Sequence, residues 1–320
     1  MAFAVLRFNF ASPGGAPRVQ GELLSAALEL AHFVDSRGVA AISVDEHHVT
    51  GHGWSCNPVM VAGMLLARTT NIIASIDCAL APLWNPVRMA EDIAMVDAFS
   101  RGRLHTTVGL GYREIEYQTL GVDFDRRGAL MDQALETMLT SWRGDTSVVS
   151  GTWSTPHPPL YVGGGVRATV RRAVRFGLPL SLPDHRPDLA GYYTDLCREA
   201  GLRPFVIMPA EVNRGMIYLH EDPEQAWAEL GDHILWEAVT YGRWSQASRS
   251  LMHLPGVQTL EEVRASGRYR FMTPDELIAE YRSTQDFGPI TLHPLVGGMP
   301  VEAAWESVRL LTERVLPALV

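Results

Sequence analysis

The sequence predicts an α/β protein that forms a single (β/α)8 barrel, the TIM-barrel architecture, over residues 1–320. Three observations support this fold. Short apolar segments alternate strictly with amphipathic helical segments, which is typical of a parallel sheet. The strand–helix unit occurs eight times, and eight units favour a closed barrel over an open sheet. Several apolar segments also end in polar side chains or glycines, as strands do at the edge of a barrel that binds ligands.

The predicted strands are short apolar runs bounded by glycine, proline or charged residues. They cover residues 3–9, 40–48 with a polar end, 72–79, 104–108, 160–162, 178–182, 213–219 and 289–295. Residues 205–208 also look extended. Because the barrel has one position left for two segments, we assign 213–219 to the seventh strand.

The predicted helices carry apolar residues at every third or fourth position. They cover residues 21–36, 58–68, 86–98, 126–142, 169–176, 189–200, 222–237, 274–284 and 302–319. Asn57-Pro58, Asn85-Pro86 and Thr273-Pro274 each place an N-cap before a proline in the first turn. Residues 243–272 have no clean period, and we expect a mobile, lid-like insertion before the last strand–helix unit.

Composition restricts the classes of partner. The net charge of −9 and the lack of a basic stripe argue against binding to nucleic acid. The sequence contains no run of eighteen apolar residues, so no membrane span is predicted. The N-terminal segment does not resemble a signal peptide. Cys56, Cys78 and Cys197 are odd in number and far apart, so we expect free thiols and a cytoplasmic location.

The most informative stretch is Asp45-Glu46-His47-His48 at the end of the second strand. A strand buried on both faces has no room for ionisable groups, so these side chains must lie where the chain emerges from the barrel. Glu46, His47 and His48 are candidate acid–base groups, because adjacent imidazoles and carboxylates exchange protons near neutral pH. A solvated loop is the alternative. The histidines of the chain show no metal-site spacing, and no metal is predicted.

Two glycine-rich turns follow later strands. Gly163-Gly164-Gly165, with Val166 and Thr169, leads into a helix whose free N–H groups can hold a phosphate. Gly109-Leu110-Gly111-Tyr112 ends the fourth strand and would let a flat ligand approach the backbone. A tight turn is the alternative for the first segment and explains the second equally well, and Tyr112 is a proton donor or a packing aromatic. Asp77, near the end of the third strand, binds a ligand atom or caps a helix.

These residues belong to a longer series of matches along nearly the whole chain. They are Asp45-Glu46-His47-His48, Asn57-Pro58, Asn85-Pro86-Val87-Arg88, residues 97–103, Gly109-Leu110-Gly111-Tyr112, Glu116-Tyr117, residues 120–123, residues 126–128, the Gly163 to Thr169 loop and residues 309–317. In this order they resemble the bacterial luciferase-like flavin-dependent oxidoreductases. Such a resemblance is specific for a family but not for a substrate.

The resemblance implies that the barrel binds reduced FMN, or alternatively a deazaflavin, at the C-terminal ends of its strands. The phosphate would lie on the loop after strand five, and the ring over the ends of strands two to four. His47 would be the catalytic histidine, Asp77 would contact the cofactor, and a non-prolyl cis peptide is expected at residues 76–78.

The sequence also departs from the luciferases. It has Leu110 where they carry an arginine for the phosphate, and Gly109 where they carry a cysteine near the flavin. In the phosphate loop, Gly165 and Val166 replace a glutamate and a serine. The phosphate would therefore depend on backbone N–H groups, on Thr169 and on Arg167.

Three functions remain open from the sequence. The first is a two-component monooxygenase that receives reduced FMN from a separate flavin reductase and uses O₂ on a small organic substrate. The second is a deazaflavin (coenzyme F-420)-dependent enzyme that transfers hydride, and the third is a non-catalytic flavin-binding partner subunit. A homodimer is expected, with helices 58–68 and 87–98 as candidates for its interface.

Overall fold

The computed structural model describes residues 2–144, 148–149, 151–212, 214–244, 254–284 and 287–319. Its strands are β1 Ala4–Phe8, β2 Val39–Val44, β3 Ile73–Ala79, β4 Leu104–Val108, β5 Leu160–Gly163, β6 Leu180–Ser181, β7 Val206–Ile207, β8 Met216–Leu219, β9 Tyr269–Met272 and β10 Ile290–Leu292. They form one sheet in the order β7-β6-β5-β4-β3-β2-β1-β10-β8-β9. Each neighbouring pair is parallel. The parallel α/β fold predicted from the sequence is confirmed.

Helices connect the strands. They are α1 Pro17–Val34, α2 Pro58–Ala67, α3 Pro86–Ser100, α4 Glu114–Thr119, α5 Arg127–Trp142, α6 Arg167–Phe176, α7 Pro187–Glu199, α8 Pro223–Trp244, α9 Leu260–Ser266, α10 Pro274–Ser283, α11 Val301–Leu310 and α12 Leu316–Ala318. Alternate strand residues such as Leu6, Ile42 and Ile76 are buried in the main apolar cluster with helix residues. No helix in the described ranges has the length and apolar character needed to cross a membrane.

The second half of the sheet differs from the expected eight strands. Both extended segments around residue 210 form strands, β7 and β8, and they lie at different places in the sheet order. β7 continues the series from β6, whereas β8 lies between β10 and β9. The assignment of one barrel position to the two segments was therefore wrong.

The predicted lid at 243–272 contains regular structure in its second half. Thr259 and Glu262 form a capping box that starts α9. Tyr269 and Phe271 of β9 are buried, and the Phe271 ring lies 4.8 Å from that of Trp227 on α8. Aromatic packing across distant segments, which has no local period, thus orders this part of the chain. Residues 245–253 lie outside the described residues, and the lid stays a prediction there.

Helix α8 is also longer than predicted, because it continues from residue 237 to Trp244. The extra turns matter for the site, since Tyr241 on this helix bonds to Asp45 just after β2. In a parallel sheet all C-terminal strand ends lie along one edge. The residues after β1, β2, β3, β4, β5 and β10 are accordingly gathered at that edge.

Candidate functional site

His47 lies just beyond β2, and a buried carboxylate fixes its orientation. Its Nδ1 is 3.1 Å from Oε1 of Glu116, which follows β4 on α4. The same oxygen accepts hydrogen bonds from the backbone N–H of His48 at 2.9 Å and from Arg113 Nη1 at 2.8 Å. Burial works to raise the pKa of Glu116, but these partners outweigh it and hold the pKa below its ordinary value. Glu116 is therefore ionised at neutral pH and accepts a hydrogen bond from Nδ1–H.

Four aromatic rings surround the His47 imidazole. The ring centres of Trp54, Tyr112, Tyr241 and Trp244 lie 5.5, 5.8, 5.7 and 5.2 Å from that of His47. Only 8% of His47 is exposed. In the described part of the chain, its Nε2 has no hydrogen-bond partner. The imidazole is thus oriented through one nitrogen and keeps the other for a reacting molecule, in surroundings that hold little water.

The neighbours of His47 are more fully engaged. Glu46 Oε2 accepts a bond from the Leu80 N–H at 2.7 Å, and Oε1 accepts one from Trp84 Nε1 at 2.8 Å. Oε1 also lies 2.7 Å from His48 Nε2. Burial works to lower the pKa of His48, but the bond and charge of Glu46 raise it above its ordinary value. These contacts tie the loop after β2 to the loop after β3.

Asp45 faces the opposite side of the loop. Its Oδ2 accepts hydrogen bonds from Arg7 Nη2 at 2.5 Å and from the Tyr241 hydroxyl at 2.9 Å. Its Oδ1 accepts a bond from Trp54 Nε1 at 3.1 Å. The carboxylate therefore joins β1, the loop after β2 and helix α8, and it fixes two of the rings that surround His47.

Asp77 accepts hydrogen bonds from Ser75 Oγ at 2.7 Å and from Thr107 Oγ1 at 3.1 Å. The Asp77–Cys78 peptide bond is cis, as the family resemblance implies. The Cys78 thiol lies so close to Gly109 that a Cβ at residue 109 would overlap the sulfur. Burial, with the charges of Glu46 and Asp77 beside it, raises the pKa of Cys78 to about 12.

The glycine loop after β5 leads directly into helix α6. Gly164 has φ of +141°, which favours glycine, and its N–H donates to Ser181 O at 3.1 Å. A Cβ at Gly163 would lie 2.8 Å from Thr107 Cγ2. Helix α6 begins after Val166, which provides no side-chain cap. Its first N–H groups are therefore directed toward the loop, and Thr169 Oγ1 borders the Cα of Gly164.

The two arginines near this loop have different positions. The guanidinium of Arg167 stacks on Tyr192 of α7, 4.4 Å from the ring centre. Arg186 comes from the loop after β6 and donates to Gly165 O at 3.3 Å. It also pairs with Asp188 at 2.7 Å. Arg167, which the sequence offered as a charge for the phosphate, and Arg186, which the sequence did not single out, are therefore both placed beside this loop.

The structure brings most of the predicted residues to one edge of the sheet. Thr107 on β4 contacts both Asp77 on β3 and Gly163 on β5. The polar residues that follow β2 and β3 and the glycine loop therefore lie next to each other at this edge. The turn after β4 is closed by the Tyr117 hydroxyl, which donates to Leu110 O. Gly111, with φ of +71°, packs there against Leu80.

Several residues at the site were not predicted from the sequence. They are Arg7, Trp54, Arg113, Glu116, Arg186, Tyr241 and Trp244. Glu116 gave the clearest signal, because it is an acid on the buried side of a short helix and belongs to the Glu116-Tyr117 motif. Nothing in the sequence pointed to Tyr241 or Trp244, because only the packing position of helix α8 brings them next to His47.

A family profile described as luciferase-like monooxygenase matches residues 1–280. The chain belongs to this family. Among curated relatives, it is 25% identical over 202 residues to the oxygenase component of flavin-dependent trigonelline monooxygenase from Acinetobacter baylyi. That match covers 57% of this chain and 56% of the relative, so the chain spans about half the length of the curated relatives it matches.

Solved structures of the same fold extend over the whole chain. The monooxygenase RslO1 from Streptomyces bottropensis has a TM-score of 0.78 at 23% identity, with 100% of both chains covered. A secondary alcohol dehydrogenase that depends on coenzyme F-420, solved with an F-420–acetone adduct, has a TM-score of 0.64 at 17% identity, again with 100% of both chains covered. At these identities the likeness shows the fold alone.

Proposed function

We propose that the chain is the oxygenase component of a two-component monooxygenase, which uses reduced FMN and O₂ to oxidise a small organic substrate. The observation that carries this proposal is the His47 arrangement: Nδ1 on an ionised carboxylate, Nε2 without a partner among the described residues, and four aromatic rings around the imidazole. The family and the named oxygenase component among the relatives support it.

The residues at the glycine loop fit the phosphate of FMN. A phosphate requires N–H donors, a hydroxyl and room for close approach, and it prefers the N-terminal end of a helix. The start of α6 supplies N–H donors, Thr169 supplies a hydroxyl and the three glycines leave room for close approach. Arg186, itself paired with Asp188, lies beside Gly165. The loop thus replaces side-chain contacts from residues 110, 165 and 166 with backbone contacts.

In this proposal His47 holds or moves a proton at Nε2 during the reaction. Glu116 fixes the tautomer with the proton on Nδ1 and stabilises the imidazolium when Nε2 takes a proton. The rings around His47 exclude water from the reacting atoms. Bound reduced FMN supplies the electrons that activate O₂.

Glu46 and His48 have a supporting role. Both oxygens of Glu46 already accept bonds from Leu80, Trp84 and His48, so this carboxylate is not free to exchange a proton with substrate. We assign the pair to holding the loop that presents His47. Of the three predicted acid–base residues, His47 is the one we propose as catalytic.

Hydride transfer with a deazaflavin is the second candidate. The turn from Gly109 to Tyr112, followed by Glu116-Tyr117, resembles that of deazaflavin-dependent members of the family, and Leu110 stands where the luciferases carry an arginine. A dehydrogenase that depends on coenzyme F-420 also shares the fold. In that case His47 would take the proton from a substrate hydroxyl during oxidation, or give a proton to a substrate carbonyl oxygen during reduction, without O₂. A non-catalytic partner subunit is the third, and it requires no intact His47.

A flavin reductase, a cytoplasmic location and a homodimer complete the proposal. The three cysteines are free thiols, which suits a reducing compartment. Exposed apolar side chains lie on the two adjacent helices predicted for the interface: Met60 and Met64 on α2, and Met95 and Phe99 on α3. Met95 is 71% exposed and Met60 is 60% exposed. Several apolar side chains exposed on adjacent helices are more typical of an interface than single, scattered surface methionines are.

The deciding experiment is an anaerobic titration of the protein with reduced FMN and, separately, with reduced deazaflavin, followed by admission of air. Tight FMN binding with a transient absorbance change in air and substrate-dependent oxygenation would support the monooxygenase. Selective deazaflavin binding that is indifferent to air would establish hydride transfer instead. His47→Ala should lose turnover, and His32→Ala, an exposed histidine on α1, is the matched control.

A further inference from the structure

Glu237, a buried carboxylate that the site described above does not use, lies in the middle of α8 and is 0% exposed. Its Oε2 accepts hydrogen bonds from Asn9 Nδ2 at 3.0 Å and from the Gly297 N–H at 3.3 Å. Its Oε1 accepts a bond from the Tyr269 hydroxyl at 3.4 Å and lies 3.3 Å from His293 Nδ1. One side chain thus joins α8 to the ends of β1 and β10 and to β9.

Glu237 is ionised in this environment. Burial works to raise its pKa, but His293, Asn9 and Arg7 together hold the pKa below its ordinary value. An ionised carboxylate is expensive to bury, and it persists only where donors surround it. Because its donors come from separate segments, displacement of α8 would leave the charge without partners. The carboxylate therefore fixes both the depth and the register of the helix.

The register of α8 decides what covers His47. Tyr241 follows Glu237 by four residues, one helical turn, and its hydroxyl reaches Asp45. Trp244 lies three residues further along and packs 5.2 Å from the His47 ring, with the Arg113 guanidinium 4.0 Å from its own ring centre. Two of the four rings around His47 therefore depend on a helix that Glu237 holds.

We propose that Glu237 is a positioning residue of the site, which acts through α8 to hold Tyr241 and Trp244 against His47. It touches neither His47 nor the glycine loop. The proposal rests on the proposed function of His47 for its catalytic meaning. The geometric claim itself concerns only this chain, and it can be tested without cofactor.

The test compares Glu237→Gln with Glu229→Gln. Glu229 is an exposed glutamate on the same helix that is bonded to Gln225, so the control makes the same change of charge away from the site. Two readouts are independent of turnover: the NMR signals of the His47 ring, which the currents of its four neighbouring rings displace, and the rate at which diethyl pyrocarbonate modifies His47. His47→Gln identifies the signals.

We expect Glu237→Gln to move the His47 signals toward those of an exposed histidine. The modification rate should increase by about tenfold or more, which corresponds to a loss of ~1.4 kcal/mol in the free energy that keeps the rings packed over His47. Glu229→Gln should change neither. If the enzyme is active, kcat should fall by up to about a hundredfold in Glu237→Gln, because small displacements at a reacting centre have effects of this size.

Unchanged His47 signals and modification rate in folded Glu237→Gln would overturn the proposal. If this variant does not fold, Glu237→Asp keeps the charge but withdraws the carboxylate by one methylene, and the same readouts apply. Loss of folding in both variants would assign Glu237 to global stability and would also overturn the positioning role. Inactivity toward reduced FMN with shifted His47 signals would instead contradict the proposed function alone.

Discussion

Replacement of Glu116 by glutamine tests how His47 is held. The glutamine keeps an oxygen for the His48 N–H and for Arg113, but it removes the negative charge that both Arg113 and the imidazole face. Arg113 retains its contacts with the His48 carbonyl at 2.6 Å and with the Trp244 ring. The loss should therefore lie near the value of one charged hydrogen bond, about 2 kcal/mol.

For a chain of this size, ~2 kcal/mol corresponds to a decrease in Tm of about 4 °C. Turnover should fall more steeply, by about a hundredfold, because an unoriented imidazole is a poor acid–base catalyst. Thermal unfolding and steady-state kinetics measure the two effects. Glu114→Gln is the matched control, because Glu114 is exposed on the same helix and bonds only to Gln118 among the described residues.

The effect on Tm also has a predicted pH dependence. The pKa of Glu116 is lower in the folded protein than in the unfolded chain, so its stabilising contribution is present above the ordinary pKa of about 4.5. That contribution is lost as the pH falls through the lowered value. The difference in Tm between wild type and Glu116→Gln should therefore shrink below pH 4.5. A constant difference down to pH 3, or equal Tm values at pH 7, would refute the ionised carboxylate.

Three further predictions follow from the described contacts. Gly109→Ala should destabilise the fold by ~1–3 kcal/mol in urea unfolding, because its Cβ meets the Cys78 thiol. Cys78→Ala in the same chain should recover most of the loss, and additive free-energy changes of the two substitutions would contradict the contact. Met95→Glu with Met60→Glu should shift the sedimentation of a dimer to that of a monomer, and an unchanged profile would exclude this interface. Thr169→Val should weaken the binding of reduced FMN by roughly tenfold in the anaerobic titration if the Thr169 hydroxyl donates to the phosphate. An unchanged Kd would show that Thr169 is not part of the site.

The fold could be predicted because its signals are local. A buried parallel strand reads as a short apolar run, and Asn57-Pro58 or Asn85-Pro86 marks a helix start through its own capping bonds. Where the prediction failed, the cause was tertiary. β9 and the end of α8 are ordered by packing between distant segments, as in the contact of Phe271 with Trp227, and such packing leaves no period in the sequence.

The same distinction between local sequence signals and tertiary contacts applies to the residues of the candidate site. His47 and the glycine loop could be proposed from the sequence because ionisable groups and glycines at strand ends are unusual for a buried sheet. Tyr241 was not found, because its bond to Asp45 joins residues 196 positions apart. Arg186 was not predicted for a related reason: it reaches Gly165 from the loop after β6, and proximity in sequence does not indicate that contact.

The close approach of Cys78 to Gly109 also restricts the order in which the two positions can change during evolution. A side chain at residue 109 requires that the sulfur at residue 78 be lost first, or that both change together, because the space holds only one of them. The reverse order passes through an overpacked intermediate. A side chain at residue 109 and a thiol at residue 78 are therefore alternative occupants of one volume.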